Sequence, residues 1–130
     1  MGAPKIAKDI RDYLTTTTGL SNVSVGSLNP TPINQYAVIE YPGPANIKTH
    51  GGGSPVLDEG NIQILARHTT DQTALTNIHT VIDALDGLKD VTINSVVYLY
   101  VTEISRPRIV DRSENGSMTY AWECRVSARR

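Results

Sequence analysis

Two long strand-like runs on either side of Asn115-Gly116 constrain this chain more than any other feature. In the second run Met118, Tyr120, Trp122, Cys124 and Val126 alternate with Thr119, Ala121, Glu123, Arg125 and Ser127, a period of two that puts the apolar set on one face and leaves the other open to water. That pattern belongs to a half-buried antiparallel strand. The first run, from Val96 to Thr102, is β-branched or aromatic almost throughout, which suits a strand covered on both faces. Asn-Gly between them favours a tight hairpin, because both residues tolerate positive φ. A hairpin with one apolar face is marginal in water by itself, so the upstream chain has to cover it.

The upstream chain supplies that cover in alternating pieces. Pro4 to Thr16 reads as a helix: proline suits a first turn, Ile6, Ile10, Tyr13 and Leu14 recur at helical spacing, and Lys5, Lys8, Asp12 and Thr15 fall opposite. The threonine run 15 to 18 and Gly19 end it. Asn22 to Ser27 predicts a short strand with Val23 and Val25 on one face, and Asn29-Pro30-Thr31-Pro32 a turn. Gln35 to Tyr41 is a second strand, and Asn61 to Arg67 a third with Ile62, Ile64 and Ala66 on one side. Between them, Pro42 to Gly60 holds five Gly and three Pro and predicts a flexible loop that protrudes from the domain. A second helix is capped by Thr70 or Asp71 and carries an apolar stripe of Leu75, Ile78, Val81, Ile82 and Leu85. Gly87 suits a left-handed stop with Leu88 folding back in a Schellman-type contact, and Val91 to Ile93 turns through Asn94-Ser95 into the final hairpin. The expected fold is α+β: one mainly antiparallel sheet with two helices packed on it and a C-terminal β-hairpin, a single domain spanning residues 1–130.

Chemical signatures are sparse. His50-Gly51-Gly52-Gly53 imitates an oxyanion-hole loop, yet the Gly-x-Ser-x-Gly elbow that such chemistry needs does not occur. Asp111, Ser113, Asn115 and Gly116 imitate half of a calcium loop, but the twelfth position, which must be a bidentate carboxylate, is Trp122. His50, His68, His79 and Cys124 lack zinc-ligand spacing, and no phosphate-binding glycine motif is present. The sequence therefore predicts no catalytic residues, no cofactor and no metal. Cys124, on the apolar face, is expected to be a buried, inert thiol. No apolar run approaches the length of a membrane span, and the first 14 residues lack the core of a signal peptide.

Charge is distributed unevenly. Net charge is -1, but from Arg106 onward six Arg face three carboxylates, a net of +3 that leaves -4 upstream. This polarity serves either solubility or docking to a partner. Arg106, Arg108 and Arg112 are the charged group singled out for contact with a neighbouring subunit, since guanidinium presents a rigid fork to carboxylates. The loop His50, Gly51, Gly52, Gly53, Ser54 and Pro55 is the second expected docking element. A pI near 6.3 argues against sequence-specific DNA binding.

The leading helix, the Pro/Gly-rich stretch after the second strand, the TALTNIHTVIDALDGL helix, the turn in VTINSVVYL and the ending ISRPRIVDRSENGSMTYAWECRVSARR together resemble the small minor capsid and tail-terminator proteins of long-tailed bacteriophages. The most specific part is the proline followed by an Asp-x-x-x-Asn-Gly turn and a final alternating strand. The resemblance implies a non-enzymatic virion protein, made in the host cytoplasm and incorporated at the neck. It implies a homo-oligomer, a hexameric ring at the head-proximal end of the tail tube, with the tail tube protein and the head connector or stopper protein as partners. Genomic DNA would pass through the lumen without its sequence being read. The alternatives are a head-completion or neck connector protein of the same virion, and a small cytoplasmic enzyme.

Overall fold

A computed structural model of the chain describes residues 6–41, 57–113 and 116–129. The helical spacing of Ile6, Ile10 and Leu14 produces helix α1 (Ile6–Thr16), whose buried side includes those three residues together with Ala7 and Asp9. Strand β1 (Val23–Val25) pairs in parallel with β2 (Gln35–Tyr41). Strand β3 (Leu57–His68) then pairs antiparallel with β2. Helix α2 (Asp71–Leu85) leads into β4 (Lys89–Ile93), β5 (Val96–Arg112) and β6 (Met118–Arg129). The six strands form one sheet in the order β1-β2-β3-β6-β5-β4. The sheet is thus mixed, with a single parallel pair at one edge.

The C-terminal alternation predicts the centre of this sheet. β6 runs between β3 and β5, and the β3–β6 register continues unbroken from Leu57↔Arg129 to His68↔Met118. Tyr120, Trp122, Cys124 and Val126 face the core with Ile62, Ile64 and Ala66, and α2 packs over β3 and β6. The opposite face is drier than the sequence predicts: Thr119, Ala121 and Ser127 are also buried. Long neighbours cause this, since Leu65 and Arg67 on β3 and Arg108 and Tyr100 on β5 stand directly across from these small residues.

The sheet curls, because α1 rests on β1 and β2 at one edge and also reaches β4 at the other. Polar bonds fix that bridge. Asp9, buried on the core side of α1, accepts hydrogen bonds from the Tyr98 hydroxyl and from Asn94 Nδ2 at 2.8 Å. Asn94 Nδ2 also donates to Asp12 at 2.9 Å. Asn94 and Ser95 both have positive φ, 51° and 68°, which makes the β4–β5 connection a two-residue hairpin of the mirror-image type that matches strand twist.

Several boundaries differ from the sequence expectation. Residues 57–60 belong to β3, paired with β6 from Leu57 onward, so the Pro42 to Gly60 loop is shorter; its residues 42–56, with His50 to Pro55, lie outside the described residues. Gly60 reads as loop in composition but is a packing position: a Cβ there would sit 2.9 Å from Ile6 Cδ1. On α2 the buried stripe is Ala74, Ile78, Val81, Ile82 and Leu85, whereas Leu75 is exposed. Thr70 precedes the helix without a side-chain cap bond. Gly87 takes the left-handed conformation (φ 86°), but its N–H bonds the Val101 carbonyl rather than the helix, and the Val101 N–H returns to the Leu88 carbonyl, both at 3.2 Å. This exchange sews the helix end to β5 in place of a Schellman closure.

Candidate interaction surface

β5 is 17 residues long, and only its first part has neighbours on both sides. β4 covers it from Val96 to Tyr100, and the Gly87–Leu88 segment occupies Val101. From Thr102 to Arg112 no described strand pairs with its outer edge. Three of the four register shifts against β6 fall in this part. Pro107 lies within one of them, between Ser105 and Arg108, where a residue without an N–H is tolerated. Three of the five large exposed apolar side chains among the described residues lie here: Ile104, Ile109 and Val110.

The three arginines of this segment diverge. Arg108 stands opposite Ala121, where its Nη2 is 3.0 Å from Glu123 Oε2 and its Nη1 donates to Ser105 Oγ at 3.2 Å. Gln63 Nε2 donates to the same Glu123 oxygen at 3.2 Å, and Ser105 Oγ to its partner oxygen at 3.4 Å. Burial first, and then the charge of Glu123, push the Tyr41 hydroxyl above its ordinary range. Arg112 pairs with Met118 on the core-side register and is exposed, with no ion pair among the described residues. Arg106 projects from the bulge, its Nη1 3.2 Å from Glu103 Oε1. The other Glu103 oxygen accepts the buried Trp122 Nε1–H at 2.7 Å, so this carboxylate joins the surface to the core.

Two further arrangements escaped the sequence reading. Arg67, an ordinary strand residue by pattern, holds the turn before β2: its Nε donates to the Ile33 carbonyl at 2.8 Å and its Nη2 to those of Asn29 and Pro32. Gln35 completes that clamp through Asn29, accepting its N–H at 2.8 Å and donating to its carbonyl at 2.9 Å. Only the proline-rich turn hinted that an anchor was needed. The second is a recess of about 620 Å³ between α1 and β1, lined in part by Ala7, Val25, Ile39, Lys8 and Arg11. Its two cations are already engaged, both by Asp12, and it gathers no array of acid, base and nucleophile. Among the described residues no group of His, Cys, Asp and Glu is placed to hold a metal ion. Cys124 is fully buried, and that burial pushes its thiol up to about 12.

The described residues thus form a curled mixed sheet under two helices with an open strand edge. The same fold occurs in a chain from the virion of a native gene transfer agent particle, with a TM-score of 0.57 and 16% identity over 90% of this chain and 84% of that one. A second solved chain has a TM-score of 0.56 at 11% identity, over 96% of this chain and 90% of its own. No curated protein matches the chain. Residues 28–129 match the family model described as bacteriophage tail terminator protein, and the chain belongs to that family. It is a structural component of the phage tail and resides in the virion.

Proposed function

We propose that the protein terminates the phage tail: copies close into a ring, six by the resemblance of its sequence, at the head-proximal end of the tail tube. There the ring stops tube growth and offers its free face to the head connector, and DNA crosses the lumen without being read. It acts without catalysis, as a single domain. The observation that carries this reading is the family match over residues 28–129, which takes in β2 to β6 and α2. Open heterologous surfaces repeated by rotation close rings, and the charge polarity along the chain favours contact between unlike faces. Arg106, Arg108 and Arg112 serve the subunit contact in this reading, and the segment His50 to Pro55 docks to the tube or to a neighbour.

Interrupting the gene and imaging the particles by negative stain tests the proposal. Tubes of uncontrolled length without attached heads are expected. Tubes of normal length beside unattached heads would instead indicate a head-completion protein, and normal virions would sink both readings. Deleting His50 to Ser54 is expected to leave the purified protein folded while abolishing the joining of heads to tails. Normal joining would remove that segment from the docking surface.

A further inference from the structure

The exposed edge of β5 and the outward side of α2 are complementary in chemistry. On β5, Ile104 and Ile109 are 44% and 40% exposed beside the projecting Arg106 and Arg112. On α2, Leu75 is 37% exposed, Asp83 follows it eight residues later on the same stripe of the helix, and Asp86 is the residue that caps the helix end. His79, exposed between them, belongs to the same stripe. Neither aspartate has an ion pair among the described residues, and the last turn of α2 holds no basic residue. Acids at the C-terminal end of a helix oppose its macrodipole. Among the described residues no cation pairs with that charge, and a cation brought from outside would offset it.

We propose that a second copy of this chain supplies the cation: the segment from Ile104 to Arg112 of one copy lies along the α2 stripe of the next. Leu75 meets Ile109, while Arg112, on the same side of the strand by its register and without an ion pair among the described residues, reaches toward Asp83 and Asp86. The lengths agree, since the eight helical residues from Leu75 to Asp83 span about 12 Å and the three strand residues from Ile109 to Arg112 about 10 Å. A helix laid against an unpaired strand edge also protects it from indiscriminate strand addition. Donor and acceptor surfaces differ, so the contact is head-to-tail and repeats. The inference rests on the ring reading for its symmetry, though the pairing of the two surfaces stands apart from ring closure.

Disulfide trapping tests it, because the native thiol of Cys124 is buried and silent. Full-length Leu75→Cys and Ile109→Cys, both at exposed positions, are mixed and oxidised mildly. The expected result is a mixed dimer about tenfold above the yield of either variant alone, or of Ile109→Cys mixed with Val25→Cys. Equal yields overturn the pairing. In the Asp83→Arg/Asp86→Arg background of Leu75→Cys, the yield is expected to fall, and to recover when Ile109→Cys carries Arg112→Glu; a yield indifferent to these charges overturns it too. In the double variant Leu75→Cys/Ile109→Cys, a ladder that ends at one closed species agrees with both proposals. A ladder that runs on without closing keeps the pairing and defeats the ring.

Discussion

The carboxylate of Asp9 sits one turn from Ile6 on the apolar side of α1, where helical periodicity gives no reason to look for a charge. Its partners, Tyr98 and Asn94, are more than eighty residues away. No local pattern can announce a pairing of that kind. Tyr98→Phe leaves the buried carboxylate one donor short and is expected to cost about 1–3 kcal/mol, read as a lowered denaturant midpoint at unchanged slope. Burial first, and then the bond to Asp9, raise the Tyr98 hydroxyl well above its ordinary value, and burial raises the Cys124 thiol to about 12. Groups raised in the folded state stabilise it below their unfolded values, about 10 and 8.5, and that stabilisation is lost as pH climbs through the folded ones. Stability is therefore expected to fall from about pH 9 upward, with Cys124 unreactive to thiol reagents at pH 8 until the protein is unfolded. A thiol that labels fully in the native protein would contradict this. Asp12 behaves in the opposite sense: hydrogen bonds from Asn94, then Arg11 and Lys8, hold it at about 2. Its contribution is present above the unfolded value of about 3.9 and disappears as pH falls toward 2, so Asp12→Asn is expected to flatten that acid limb.

Elements were legible where their own periodicity was strong. The alternation of β6 and the side of β3 carrying Ile62, Ile64 and Ala66 are recoverable from the sequence because two faces with unlike neighbours impose a period of two. The α2 stripe was misjudged by one position: Leu75 is the more apolar residue, yet the small Ala74 is the one pressed against the sheet. Ile78→Ala is expected to cost about 2–5 kcal/mol and Leu75→Ala less than about 0.5, a contrast that chemical denaturation of the two variants measures directly. The β4–β5 turn places Ser95 at φ 68°, a conformation serine adopts at a cost. Ser95→Gly is expected to raise stability by up to about 1 kcal/mol; a loss would mean that the turn is held by its serine side chain. The start of β3 was illegible because its Gly60 resembles the glycines before it, and the reason for that glycine lies in α1 rather than in the strand.

At the scale of the whole chain, α+β class and single-sheet architecture followed from the order of elements, whereas the curl of the sheet did not, since it depends on one helix touching strands at both edges. The arginines near the C-terminus were legible as a charged segment, but their separation by bulges onto different sides of β5 was not. The family match begins at residue 28, beyond α1 and β1, although Ile6, Ile10 and Leu14 are among the most deeply buried side chains. A chain starting at residue 28 is expected to keep much of its far-ultraviolet circular dichroism, bind an apolar dye and lose a sharp thermal transition. An unchanged cooperative transition would show α1 to be dispensable.

Helix α1 also turns an open series of strands into a circuit. From β1 the backbone ladder runs through β2, β3, β6 and β5 to β4, and Asp9 with its bonds to Tyr98 and Asn94 connects the far end back to the near one. A displacement imposed on the β4–β5 tip consequently has two routes to β1, the long one across five strand pairings and the short one through a single helix. The short route makes the two edges of the sheet answer together, as the jaws of a clip do when its spring is pressed.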